Sequence, residues 1–171
     1  MTPGDLEPGY IKSAKVLHLS AISQGLSATC RETVLEAAKI ARGSGITVSY
    51  DTNLRTELWS IDEARKAMEE ILPYVSIIFP SHPHEPRELL GLERETDVIE
   101  FFLSKGVETV ALKCGEAGAW VANSEGVAKI PAVAPHGLVD TTGAGDTFVG
   151  GVLHGIVQGR DAFESVRWGV A

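Results

Sequence analysis

The residue types best suited to chemistry stand together in Val139-Asp140-Thr141-Thr142-Gly143-Ala144-Gly145-Asp146-Thr147-Phe148. An apolar run at helical spacing continues from it through Phe148, Val149, Val152, Leu153, Ile156 and Val157. The first turn of a helix leaves N–H groups without partners and carries roughly half a positive charge, so it attracts anions. Gly143 and Gly145 let a ligand approach the backbone, Ala144 between them is small, and Asp146 is a carboxylate at the head of the run. That combination suits phosphate chemistry with a built-in base. A purely structural reading is also open: a helix entered through a glycine turn, with Asp146 complementing the dipole.

Three further groups carry chemistry. Asp51-Thr52-Asn53-Leu54-Arg55 closes a β-branched run, where an α/β sheet presents its ligand-binding groups. Arg55 offers a planar fork for a carboxylate or phosphate, or serves as an exposed ion-pairing residue, and Asn53 is a hydrogen-bonding group beside it. Trp59, just beyond, reads better as core. The loop Pro80-Ser81-His82-Pro83-His84-Glu85-Pro86 holds two histidines and a glutamate. Those types ligate metals, but they crowd a single short loop with no distant partner in view, so a dedicated transition-metal site is not the reading. Lys113-Cys114-Gly115-Glu116-Ala117-Gly118 is a turn whose glycines allow positive φ, with Lys113 adding positive charge.

The elements that must position these groups follow from hydrophobic periodicity. Strands are expected at Val16–Ala21, Ile46–Asp51, Val75–Phe79, Thr109–Lys113, Ala119–Ala122 and Val127–Pro131, the last two joined by an Asn123–Gly126 turn. Helices are expected over Thr29–Arg42, ended by Gly43 and Gly45, and from the Ser60/Glu63 capping box to Pro73. Shorter helices are expected at Arg87–Leu90 and Asp97–Lys105, with two more from Asp146 and Asp161. Pro3–Ser13 is polar and expected outside the core. The alternation predicts an α/β fold of three layers, a mainly parallel sheet with an antiparallel hairpin edge, in one domain spanning 1–171.

Composition narrows the function. A net charge of −8 and a pI near 5.1 argue against a nucleic-acid or anionic-membrane surface. No apolar run approaches the ~20 residues of a membrane span, and the N-terminus has no signal-peptide form, so a cytoplasmic protein is expected. Cys30 and Cys114 lack metal spacing and read as reduced thiols. Phe148 replaces the third glycine of a dinucleotide fingerprint, and there is no P-loop lysine.

The string Asp140-Thr-Thr-Gly-Ala-Gly-Asp-Thr-Phe148 resembles the C-terminal signature of the ribokinase-like (PfkB) sugar kinases. The resemblance implies that Gly143, Ala144 and Gly145 form an anion hole through their backbone N–H groups. It implies that Asp146 takes the proton of the attacking sugar hydroxyl while ATP, with Mg²⁺, supplies the phosphoryl group. It implies a monovalent cation at Asp140. Asp51-x-Asn53-x-Arg55 followed by Leu58-Trp59, with His18-Leu-Ser20-Ala-Ile22, is similar to the subgroup acting on 2-keto-3-deoxygluconate. In it, Asn53 and Arg55 bind nucleotide, and Arg55 also the carboxylate of a sugar acid. Glu85 matches the glutamate of the family's Asn-x-x-Glu motif near Mg²⁺, with His82 in place of the asparagine. Lys113, Gly115 and Gly118 match the segment beside ATP.

The resemblance covers the later, nucleotide-binding part of the family fold. It implies truncation at both ends, without the opening Gly-Gly segment and the β lid over the sugar, and hence impaired activity of this chain alone. Fructokinase or another ribokinase-like activity, and a noncatalytic nucleotide-binding remnant, stay open as alternatives. So does pairing into a homo-oligomer.

Overall fold

The computed structural model describes residues 1–133, 137 and 140–171. Val139, at the head of the signature stretch, lies outside them. Six strands form one sheet in sequence order: β1 (Val16–Ser20), β2 (Thr47–Asp51), β3 (Ile77–Phe79), β4 (Thr109–Lys113), β5 (Ala119–Asn123) and β6 (Gly126–Ile130). β1 to β4 pair in parallel, and β4, β5 and β6 pair antiparallel. This is the expected mainly parallel sheet with a hairpin edge.

The helices are α1 (Pro8–Ser13), α2 (Ala21–Gly25), α3 (Ala28–Gly43), α4 (Ile61–Ile71), α5 (His84–Leu90), α6 (Glu95–Ser104), α7 (Ala144–Val157) and α8 (Ala162–Val170). Strand alternation divides the core between two faces. Ile78, Val110, Leu112 and Ala122 point into a large cluster with Ala38 and Ala41 of α3, Met68 and Ile71 of α4, and Phe102 of α6. Ile77, Phe79, Ala111 and Val121 point the other way, onto Phe148, Val149 and Val152 of α7 and Val166 of α8. Two helical layers therefore enclose the sheet. α7 and α8 approach so closely that a Cβ on Gly155 would stand 2.7 Å from Ser165 Oγ, and one on Gly169 2.8 Å from Phe148 O.

Several boundaries differ from expectation for local reasons. The expected strand to Ala21 stops at Ser20, whose hydroxyl accepts from Ile22 N at 3.3 Å and caps α2, a helix that hydrophobic periodicity did not suggest. The strand expected from Val75 begins at Ile77, because a 3₁₀ turn over Leu72–Tyr74 is closed by Val75 N donating to Leu72 O. α5 starts three residues before Arg87, at His84. The opening segment is not wholly outside the core. α1 starts at Pro8, the position where a missing N–H costs nothing, and it turns Ile11 into the main cluster.

Candidate active site

The four parallel strands end on one edge of the sheet, at Ser20, Asp51, Phe79 and Lys113. Ligands bind to such sheets beyond the carboxyl ends of the strands. Lys113 Nζ lies 2.8 Å from Asp51 Oδ1, with both side chains largely withdrawn from solvent. Asp51 Oδ1 also accepts from Asn53 N at 3.3 Å. Asn53 has φ of 22°, the positive region that asparagine tolerates better than other side chains. Such a conformation at a strand end turns the chain sharply out of the sheet.

Glu85 reaches the same edge from α5. Its carboxylate is buried and accepts from Leu54 N at 2.9 Å, from Ser81 N at 2.8 Å and from the Thr52 hydroxyl. These bonds fasten the loop after β2 to the loop after β3. His82, three residues earlier, turns away from this cluster, with Nε2 2.8 Å from Glu93 O. His84 is exposed. The structure thus separates the three residues that crowd together in sequence.

α7 begins beside this cluster. Gly143 is its N-cap, with φ of 77° and no side chain to cap the helix. Ala144 N donates to Thr141 O at 3.0 Å, and the first helical bond runs from Thr147 N to Gly143 O at 2.8 Å. The N–H groups of Gly143, Gly145 and Asp146 have no acceptor among the described residues. Of the three N–H groups assigned to an anion hole from the sequence, that of Ala144 is thus already engaged. A Cβ on Gly145 would stand 3.7 Å from Lys113 Nζ, so the ammonium group sits against the start of the helix. Asp146 is exposed in the first turn of α7. An uncapped helix start beside an ammonium group can hold an anion, with a carboxylate in place to take a proton.

Asp140 is exposed, and Oδ1 accepts from Thr142 N at 2.8 Å. This hydrogen bond, with a lesser one from the Thr142 hydroxyl, holds its carboxyl below the usual carboxylate range. Arg55 is exposed and donates from Nη1 to Leu54 O at 2.9 Å. Trp59 is buried, as core. At the turn after β4, Gly115 has φ of 53° with open space where a Cβ would lie. Gly118 is built in differently. Its φ is 88°, and an added Cβ would fall 2.0 Å from Ile130 O, so this glycine is required by the packing of the turn on the end of β6.

Two features of the site gain their roles only in the structure. One is the Asp51–Lys113 pair, which joins ends of β2 and β4 with β3 between them. The other is His18 on β1, which hydrogen-bonds through Nδ1 with Ser49 Oγ at 2.9 Å. Partial burial lowers its pKa, and Asp51 and then Asp146 pull it back up. The available signal was a polar residue at the centre of the otherwise apolar run of β1.

The chain is 31% identical to a 2-dehydro-3-deoxygalactonokinase of Haloferax volcanii, over 99% of its own length and 53% of that protein. It is 29% identical to a 2-dehydro-3-deoxygluconokinase of Bacillus subtilis (100% and 53%) and 34% identical to fructokinase-1 of Oryza sativa subsp. japonica (98% and 51%). It spans about half the length of the curated relatives it matches. Among solved structures, a PfkB protein from Polaromonas sp. JS666 superposes with a TM-score of 0.91 at 27% identity, over 99% of this chain and 55% of that one. A putative ribokinase II from E. coli, solved in complex with ATP and Mg²⁺, superposes with a TM-score of 0.87 at 27% identity, over 99% and 54%. The model of the pfkB family carbohydrate kinases matches residues 5–171, and the chain belongs to that family.

Proposed function

We propose that this chain supplies the phosphoryl-transfer and nucleotide-binding part of a cytoplasmic, ATP-dependent sugar kinase acting on a 2-keto-3-deoxy sugar acid, with 2-keto-3-deoxygluconate as substrate. The carrying observation is the uncapped start of α7, where the N–H groups of Gly145 and Asp146 have no acceptor among the described residues, Gly145 stands against Lys113, and the Asp146 carboxylate is exposed in the first turn. Those N–H groups, with that of Gly143, would stabilise the charge on the phosphoryl group in transfer. Asp146 would accept the proton of the attacking hydroxyl. Asn53 and Gly115 would line the nucleotide, with Gly118 fixing the turn that carries Gly115. Lys113, held by Asp51, keeps a cation at the helix start. Arg55 would take the substrate carboxylate or a nucleotide phosphate.

The residues present fit Mg²⁺ in one particular way. A carboxylate offers about four lone-pair positions, and Glu85 gives three of them to Thr52, Leu54 and Ser81. Mg²⁺ dehydrates reluctantly and keeps several waters, so Glu85 suits a role through metal-bound water. When bound, Mg²⁺ neutralises phosphate charge. Asp140, an exposed carboxylate kept ionised by the Thr142 N–H, would hold a monovalent cation.

A fructokinase is the second reading, favoured by the 34% identity to the rice enzyme. An ADP-release assay with ATP and Mg²⁺, run on the whole kinase of which this chain supplies a part, separates them. Turnover on 2-keto-3-deoxygluconate well above that on fructose is expected. The reverse order would replace the sugar-acid reading, and ATP binding with no turnover on any sugar would favour the noncatalytic remnant.

A further inference from the structure

Outside the site described above, three residues from separate segments converge. One ring nitrogen of His82, the Cys114 thiol and a Glu95 carboxylate oxygen all lie within 4.8 Å of one another, and each residue is half-buried. His82 comes from the loop after β3, Glu95 opens α6, and Cys114 follows the last residue of β4. We propose that this cluster is a binding site for a borderline-soft divalent cation of the Zn²⁺ class, with Cys114 thiolate, His82 imidazole and Glu95 carboxylate as ligands.

The backbone holds two of the ligands together. Lys113 N donates to Pro80 O at 2.8 Å, and His82 N donates to Lys113 O at 2.8 Å, so the chain at His82 is laced to the chain at Cys114. The hydrogen bond between His82 Nε2 and Glu93 O sets the tautomer. A carbonyl only accepts, so Nε2 carries the proton and Nδ1 keeps the lone pair that a metal needs. This is the arrangement by which ligating histidines are usually oriented. Glu95 is not neutralised by its neighbour, because Arg94 is committed to Asp97 through bonds of 2.6 and 2.8 Å.

The donor set decides the ion. A thiolate, an imidazole and a carboxylate match Zn²⁺ and its first-row neighbours, and not Mg²⁺, which takes oxygen ligands. Ligand atoms around tetrahedral Zn²⁺ stand roughly 3.3–3.7 Å apart, so a bound ion would draw these three together by at most about 1.5 Å. With three protein ligands, water fills the fourth position. Binding breaks the Cys114 S–H bond, forms a sulfur–metal bond and releases the proton to solvent. In the metal-free protein, burial and the nearby Glu95 carboxylate hold the thiol pKa above its ordinary value, a repulsion that a dication would relieve. The bound ion would tie the start of α6 to the Cys114–Gly118 turn. This site is independent of the kinase reading.

Cobalt titration of the reduced 171-residue chain tests the proposal. A thiolate-to-cobalt charge-transfer band that Zn²⁺ displaces is expected. It should vanish in Cys114→Ser and persist in Cys30→Ser. Cobalt affinity should fall about tenfold or more in His82→Ala and in Glu95→Gln. Glu95→Gln preserves side-chain shape, so it reads the site even where Cys114→Ser lowers stability. Absence of the band in the wild-type chain, its survival in Cys114→Ser, or unchanged affinity in Glu95→Gln would overturn the assignment.

Discussion

Lys113 Nζ stands 2.8 Å from Asp51 Oδ1, linking the ends of two strands that are not neighbours in the sheet. With side-chain exposures of 12% and 3%, neither charge is well solvated, and each depends on the other. Breaking a buried pair by removing one partner typically costs about 3–5 kcal/mol, because the other charge is left uncompensated. Lys113→Met should therefore lower the unfolding free energy by an amount of that order in urea titration. Adding Asp51→Asn to it should restore much of the loss. A single variant as stable as wild type would mean that Asp51 finds another partner.

Asp146→Asn keeps the shape of the side chain and removes its basicity. Turnover in the sugar-dependent ADP-release assay should fall by about 10²–10⁴, with ATP affinity nearly unchanged because the N–H groups of Gly143 and Gly145 remain. Undiminished turnover would remove Asp146 from the role of base.

Arg55 is exposed and, among the described residues, tied only to the carbonyl of Leu54, so its fork is available to a ligand. Hydrogen bonds to charged groups contribute about 1.5–3 kcal/mol. Arg55→Ala should raise KM for a sugar acid about 10- to 100-fold and leave a neutral sugar far less affected. Equal losses on both would assign Arg55 to the nucleotide phosphates.

His18 gives the fold a pH dependence of definite sign. Its folded-state pKa lies below the ordinary 6.5, chiefly through burial. The unfolded chain therefore binds the proton more readily, so the contribution is present above 6.5 and is lost as pH falls towards the folded value. Melting temperatures at pH 7.5 and 5.5 should differ less in His18→Asn than in wild type. An unchanged difference would place the acid sensitivity elsewhere.

Much of the fold was legible because hydrophobic periodicity is a local property. The continuous apolar run in Thr109–Lys113 and the 3.6-residue spacing in Thr29–Arg42 survive folding, since each apolar side chain goes where its own backbone geometry sends it. The boundaries that shifted were those set by single hydrogen bonds, such as the Ser20 cap. Ile11 was misplaced because its segment offers too few apolar residues for a period to register.

For the site, the sequence by itself determined the glycine-lined start of α7 and the carboxylate it carries. Adjacent residues in one turn need no distant partner to be recognised. Only the tertiary structure decided that Glu85 fastens two loops together, that Lys113 is held by Asp51, and that His82 leaves Glu85 to meet Glu95 and Cys114. Parallel pairing brings the ends of β2, β3 and β4 to one edge, whatever number of residues separates them in the chain. Proximity created by strand order leaves no spacing pattern to read.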